Sequence, residues 1–295
     1  MKRCRSPPAA APVRTLLSAS HLQLVRIPMQ TLINAGEKDP NIEGMSYNSA
    51  LDELFFADYN NEVVRAIRVR DNAVCDVYRA PFVNSVCHMS DSDTLLVCWG
   101  EQGPDNNTNW LVTLSRNGSE WREAQRVQID GIGNISCALS DSRVLIGECI
   151  NTYMELFRVE SGPRIARVHR IHVRETFCGF SATCGSDTLV AMSYFDYSVR
   201  LHRLRRDRLV ELARIHLEAP NDLLWLADRL LVSKCDIEKQ LNAVIELEFS
   251  DTRLERRREL IATSEKISVG NWCAVNDRLA IFDSNSKDIL YYSFA

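Results

Sequence analysis

One short unit recurs six times along the chain, and this repetition limits the possible folds more than any other feature. Each copy holds a semi-apolar run, a turn rich in Asp or Asn, then an aliphatic run. It reads Gly44-Met45-Ser46-Tyr47-Asn48 before Leu54-Phe55-Phe56, and Cys87-His88-Met89-Ser90-Asp91 before Leu95-Leu96-Val97. It returns as Cys137-Ala138-Leu139-Ser140-Asp141 before Val144-Leu145-Ile146, and as Phe180-Ser181-Ala182 before Leu189-Val190-Ala191. The last two copies are Leu223-Leu224-Trp225 with Leu230-Leu231-Val232, and Cys273-Ala274-Val275-Asn276-Asp277 with Leu279-Ala280-Ile281. The first aliphatics, at 54, 95, 144, 189, 230 and 279, are spaced by 41, 49, 45, 41 and 49 residues.

Four short strands with their turns fill a repeat of about that length. A third strand follows in each unit, as in Val63-Val64-Arg65-Ala66-Ile67 or Trp110-Leu111-Val112-Thr113-Leu114. A hairpin turn then leads to a more polar fourth strand. Asn117-Gly118 marks one such turn, because both residues tolerate the positive φ of type I′. No stretch keeps a helical period. The pattern predicts an all-β, six-bladed propeller of four-stranded antiparallel blades. The sixth unit supplies only three strands, ending at Tyr291-Tyr292-Ser293-Phe294. Residues His21–Ile27 resemble the fourth strands 165–171 and 209–215, so an N-terminal strand is expected to complete the last blade. If Leu16-Leu17 instead begins a partial blade, the ring has seven. Residues 1–14, basic and rich in Pro and Ala, read as a disordered tail, and 15–295 as one propeller domain.

Composition sets the remaining bounds. A net charge of −4 over 295 residues gives no global pull toward nucleic acid or an anionic membrane. No run approaches the eighteen or so apolar residues of a membrane span. The first 36 residues lack Asp and Glu, as a targeting presequence does, but Pro7, Pro8 and Pro12 oppose its amphipathic helix. The ten cysteines form no CxxC pair, and without a secretion signal they read as reduced, buried thiols in a cytoplasmic monomer.

The segment Leu54-Phe55-Phe56-Ala57-Asp58-Tyr59-Asn60-Asn61-Glu62-Val63-Val64-Arg65 resembles an NHL repeat and, less closely, the YWTD blades of lipoprotein receptors. With Glu43-Gly44 in front, it is also similar to the first blade of gluconolactonase-type propellers. The NHL resemblance implies protein or RNA binding. The gluconolactonase resemblance implies a hydrolase with a divalent metal in the channel, Glu43 and Asn221 being ligands. Read from the residues alone, Glu43, Asn84, Asn134, Asn221 and Asn271 all fall where first strands begin. Their oxygens suit Ca²⁺ or Mg²⁺, while Asn and Asp at strand starts also serve as ordinary turn residues.

Other residues point less sharply. His169, His172 and His202 are assigned to outer, exposed strands, and His88 to an inner one. The stretches Arg203–Arg208 and Arg253–Arg258 carry interleaved acids, as a solvated sheet edge does, and nucleic-acid binding is not expected of them. Three long departures share one face: the Gln30–Asn41 link, Glu101–Asn109 and Lys234–Asn242. The leading expectation is a non-enzymatic module without a cofactor. It would bind a protein partner through Trp99, Glu101, Trp110, Lys234 and Asp236 on that face. A metal-dependent hydrolase holding Ca²⁺ or Mg²⁺ on Glu43, Asn84, Asn221 and Asn271 is the alternative, and an RNA-binding propeller the third.

Overall fold

The computed structural model describes residues 23–28, 33–34, 36–89, 93–102, 107–131, 134–139, 142–147, 152–160, 163–183, 188–226, 228–236, 241–250, 252–263, 269–283 and 285–293. The tail over 1–14 and the Leu16-Leu17 segment lie outside them. The described residues form six four-stranded antiparallel sheets, the blades of a six-bladed β-propeller.

Blade 1 runs from its inner strand outward as β2 (Ile42–Asn48), β3 (Glu53–Asp58), β4 (Val63–Arg68) and β5 (Ala73–Arg79). Blade 2 holds β6 (Ser85–Met89), β7 (Thr94–Gln102), β8 (Asn107–Asn117) and β9 (Glu120–Ile129). Blade 3 holds β10 (Asn134–Leu139), β11 (Arg143–Gly147), β12 (Tyr153–Val159) and β13 (Ile165–His172). Blade 4 holds β14 (Phe177–Thr183), β15 (Leu189–Tyr194), β16 (Ser198–Arg205) and β17 (Arg208–His216). Blade 5 holds β18 (Pro220–Leu226), β19 (Arg229–Asp236), β20 (Leu241–Ser250) and β21 (Arg253–Thr263).

Blade 6 closes the ring. Its strands β22 (Val269–Val275), β23 (Arg278–Asp283) and β24 (Asp288–Ser293) accept β1 (Gln23–Pro28) as the outer strand. The register runs from Gln23 opposite Ser293 to Pro28 opposite Asp288. Arg26 adds a 3.1 Å ion pair to Asp288, and Ile27 is buried between blades 6 and 1. The expected clasp is therefore present.

The packing explains why the strands differ in composition. Apolar clusters sit between neighbouring blades, so both faces of a middle strand are covered. Every residue of β3 is buried, as is nearly all of β4, and their interiors read as apolar runs, broken in β4 only by the ion-paired Arg65. The outer strands β5 and β9 face solvent on one side and carry charge. Phe55 packs toward blade 2 and Phe56 toward blade 6, because consecutive side chains leave a strand on opposite faces.

Candidate functional site

Local irregularity in the inner strands shapes the central channel. The first-to-second strand register slips at Ile42/Gly44, Ser136/Ala138, Phe177/Gly179, Pro220/Leu223 and Val269/Asn271. A β-bulge leaves a residue unpaired and re-aims its side chain. Glu43, Cys178, Asn221 and Asp222 are among the residues skipped in this way, and all four line a channel cavity of about 410 Å³. Gly179 makes room for the widest bulge. A Cβ there would lie 2.7 Å from the Asn221 carbonyl oxygen and 2.8 Å from Asp222 Oδ1.

Asp222 is the polar centre of this cavity, and the sequence reading missed it. The Trp272 indole N–H donates to Oδ2 at 2.9 Å, and the Leu223 peptide N–H donates to Oδ1 at 2.8 Å. Burial nonetheless pushes its carboxyl up to about 6, against the lowering by those two hydrogen bonds. The available signal was the Asn221-Asp222 doublet at the bulge, just ahead of Leu223-Leu224-Trp225.

Glu43 and Asn271 also reach the cavity, as the metal reading requires. The Asn41 amide donates to Glu43 Oε1 at 2.7 Å, and the Asn271 amide donates to the Ile42 carbonyl. Asn84 is buried beside the cavity without lining it, and the Asn134 side chain lies outside the described residues. Among the described residues, no group of three or more His, Cys, Asp or Glu is disposed to hold a metal.

The histidines take structural positions. His88 is buried against Phe55, stacked at 5.9 Å, with Nε2 3.2 Å from Asp93 Oδ1. It does not line the channel cavity. His169 and His172 are exposed on β13. His202 departs from its outer-strand assignment: it lies on β16, the third strand, and is 6% exposed. Burial lowers its pKa to about 4.

The long-loop face is built differently from the sequence reading. Much of Glu101–Asn109 and Lys234–Asn242 is strand, since β7 and β8 pair as far as Gln102 with Asn107, and β19 and β20 as far as Asp236 with Leu241. Trp99 and Trp110 face each other across β7 and β8, ring centres 6.2 Å apart. The Arg126 guanidinium covers both at 4.9 and 5.5 Å, leaving Trp99 only 3% exposed. The pair stiffens blade 2. Glu101 stays exposed near the end of β7, and Lys234 on β19 sits 3.7 Å from Glu218. The Asp236 backbone ends β19.

The aromatic groups exposed on that face belong to blade 4. Phe195 and Tyr197, 61% and 54% exposed, flank Asp196 in the β15–β16 turn. Ser198 donates to Asp196 Oδ1 from its peptide N–H and its hydroxyl, and Arg200 donates to Oδ2 at 2.6 Å. Arg200 also grips Glu175, ahead of β14, with hydrogen bonds of 2.9 and 2.7 Å and covers the Tyr194 ring at 4.1 Å. Blade 1, across the ring, repeats the clamp: Arg65 on β4 holds Asp58 at the turn and Glu37 in the link. There the turn's Tyr59 packs on Phe82, ring centres 5.5 Å apart, and is half-buried. Only blade 4 of this pair leaves its turn aromatics in solvent. Tyr197 has φ of 61°, in the left-handed region that a bulky side chain rarely adopts.

Among the described residues there is no helix long and apolar enough to cross a membrane. No family model matches the chain, and no curated protein matches it in sequence. Solved structures match in shape. A chain of the structure titled "Crystal Structure of Mitotic Checkpoint Complex" is 12% identical with a TM-score of 0.58, over 99% of this chain and 97% of that one. Virginiamycin B lyase from Staphylococcus aureus is 12% identical with a TM-score of 0.55, over 93% and 100%. The RRP9 WD40 repeats are 9% identical with a TM-score of 0.58, over 94% and 98%. At such identities the likeness is one of fold. It spans interaction modules and enzymes alike, on the six-bladed propeller seen here.

Proposed function

We infer that the ring is a protein-interaction scaffold, without enzymatic activity of its own, that docks a partner on its long-loop face. The observation that carries this reading is the aromatic turn of blade 4. Two large exposed aromatics stand on a turn whose backbone is fixed by the Asp196–Arg200–Glu175 clamp. Rigid aromatic anchors lose little entropy on binding, and interface energy concentrates on such residues. In this reading Glu101 and Lys234 contribute to a polar rim, and Trp99 with Trp110 supports the blade 2 hairpin from within. The mitotic checkpoint complex, by its title, is a multi-protein assembly, which suits a scaffold of this shape. The free thiols of Cys75, Cys98 and Cys273 suit a reducing compartment such as the cytoplasm, where the ring would act as a monomer.

The test is site-specific photocrosslinking in the native cell type. A benzophenone amino acid at Phe195 is expected to give a discrete adduct, lost with Tyr197→Ala. The same probe at Leu51, exposed in the β2–β3 turn on the opposite face, should give none. An adduct from Leu51 alone would overturn the assignment.

One observation favours a second reading, in which the channel does chemistry. A cavity-lining carboxyl that exchanges its proton near pH 6 has the profile of a general acid or base. Turnover of any substrate that is abolished by Asp222→Asn, yet unaffected by Phe195→Ala, would favour it.

A further inference from the structure

The face opposite the aromatic turn carries an open cleft of about 1120 Å³ where blades 3 and 4 meet. Four of its arginines, Arg203, Arg205, Arg206 and Arg208, come from the β16–β17 hairpin. The fifth, Arg143, begins β11 of the neighbouring blade. Sequence reading saw the hairpin arginines as a charged edge, because nothing in the chain order brings Arg143, sixty or so positions away, beside them. Among the described residues, Asp207 is the one acid in the lining.

The placement of Arg206 runs against folding stability. Arg206 occupies the turn at φ of 55°, in the left-handed region where glycine or asparagine is favoured. A turn selected for stability alone would carry other residues.

The cleft also has a floor. Leu204, Leu212 and Val210 line it, and Val210 is among the large apolar residues that the fold leaves exposed. No aromatic residue lines it among the described residues. Single-stranded nucleic acid is held largely by stacking on aromatic rings, so the lining suits it poorly. A small polyphosphate would use the guanidinium groups and leave the floor idle. An occupant that uses both parts carries phosphate next to an aliphatic side chain.

We propose that this cleft binds a phosphorylated peptide segment of a protein partner, its phosphate clamped by Arg206 and Arg208 and a neighbouring apolar residue seated on Val210 and Leu212. Guanidinium groups pair with phosphate oxygens in bidentate fashion, and clustered arginines are a recurrent means of reading phosphorylated peptides. The site is independent of the aromatic turn on the other face.

The experiment uses the full chain and a degenerate nine-residue peptide library with a fixed central phosphoserine, beside the same library with serine. Peptides enriched on the immobilised protein are then titrated by fluorescence anisotropy. The phosphorylated library is expected to be enriched, with aliphatic residues selected at a position flanking the phosphate. Arg206→Gln and Arg208→Gln, both at exposed positions, should each weaken the best peptide about tenfold or more, as loss of a charge-assisted pair implies. Arg206→Lys, which keeps the charge but not the fork, should fall in between. Val210→Asn should weaken the peptide and leave inorganic tripolyphosphate unchanged. Phe195→Ala should change neither, which separates this proposal from the scaffold reading. Equal retention of the two libraries overturns the proposal. Tighter binding of tripolyphosphate or of a twelve-nucleotide oligouridine than of the best peptide also overturns it, in favour of a polyphosphate or an RNA site.

Discussion

Two titratable side chains, Asp222 in the channel cavity and the buried His202, pull the pH dependence of stability in opposite directions. Asp222 titrates at about 6 in the folded chain and near about 3.9 when unfolded. Between those values the native state keeps a proton that the unfolded chain has released. Its contribution therefore falls as pH rises through that window, and the loss is complete about a unit above the folded value. His202 behaves in reverse: folded near 4 and unfolded near about 6.5, it costs stability as pH drops through that range. Asp222→Asn should thus raise the melting temperature at pH 7.5 and leave it nearly unchanged at pH 4. An equal shift at both values would show that the carboxyl carries no such penalty. At Tyr197 the conflict is between backbone and function. Tyr197→Gly relieves a left-handed conformation worth about 1–2 kcal/mol, so melting should hold or rise while partner crosslinking at Phe195 is lost. Neither site was fully legible in the sequence. An Asp that lines a cavity and an Asp in a turn are spelled alike, and Tyr194-Phe195-Asp196-Tyr197 stands where blade 1 has Tyr59-Asn60-Asn61-Glu62 without showing which rings are covered.

At the level of elements, the strands were the most legible part. Middle strands declare themselves by unbroken apolar runs such as Leu54–Ala57, because blades cover both of their faces. The strand β1 was legible for another reason: its sequence copies the fourth strands of other blades. Truncation can test its contribution. Removing residues 1–30 takes away β1, the Ile27 packing and the Arg26–Asp288 pair, and exposes the edge of β24. A clear fall in melting temperature and a tendency to aggregate are expected, whereas removing residues 1–14 should change little. Equal melting of the two truncations would deny β1 its closing part. What the sequence hid was strand length. The polar residues from Glu101 to Asn109 resemble a loop, yet Glu101 and Gln102 stay paired with Thr108 and Asn107 at the end of the hairpin. Polarity signals exposure to water, and an extended hairpin end is exposed without being irregular.

For the whole molecule, six interblade layers of apolar side chains hold the ring, and Cys87, Cys98 and Cys273 join them, whereas Cys75, against the expectation of buried thiols, is exposed on the outer strand β5. Burial pushes the Cys98 and Cys273 thiols up, well away from reactivity. Strong reductant should therefore leave the melting temperature in place, and a drop of ten degrees or so would reveal a structural disulfide. The repeat made this architecture readable, while the contacts between blades, such as Arg143 beside Arg206, belong to the closed ring and have no imprint in one blade's sequence. The pairing of β1 with β24 has a consequence for biosynthesis. The strand β1 is made some 260 residues ahead of β24, the only neighbour it pairs with among the described residues. At roughly 5–20 residues per second, that delay lasts tens of seconds. Through that interval five blades can assemble in order while β1 stays without its partner. A nascent ring of this kind depends on whatever shields that strand until β24 emerges.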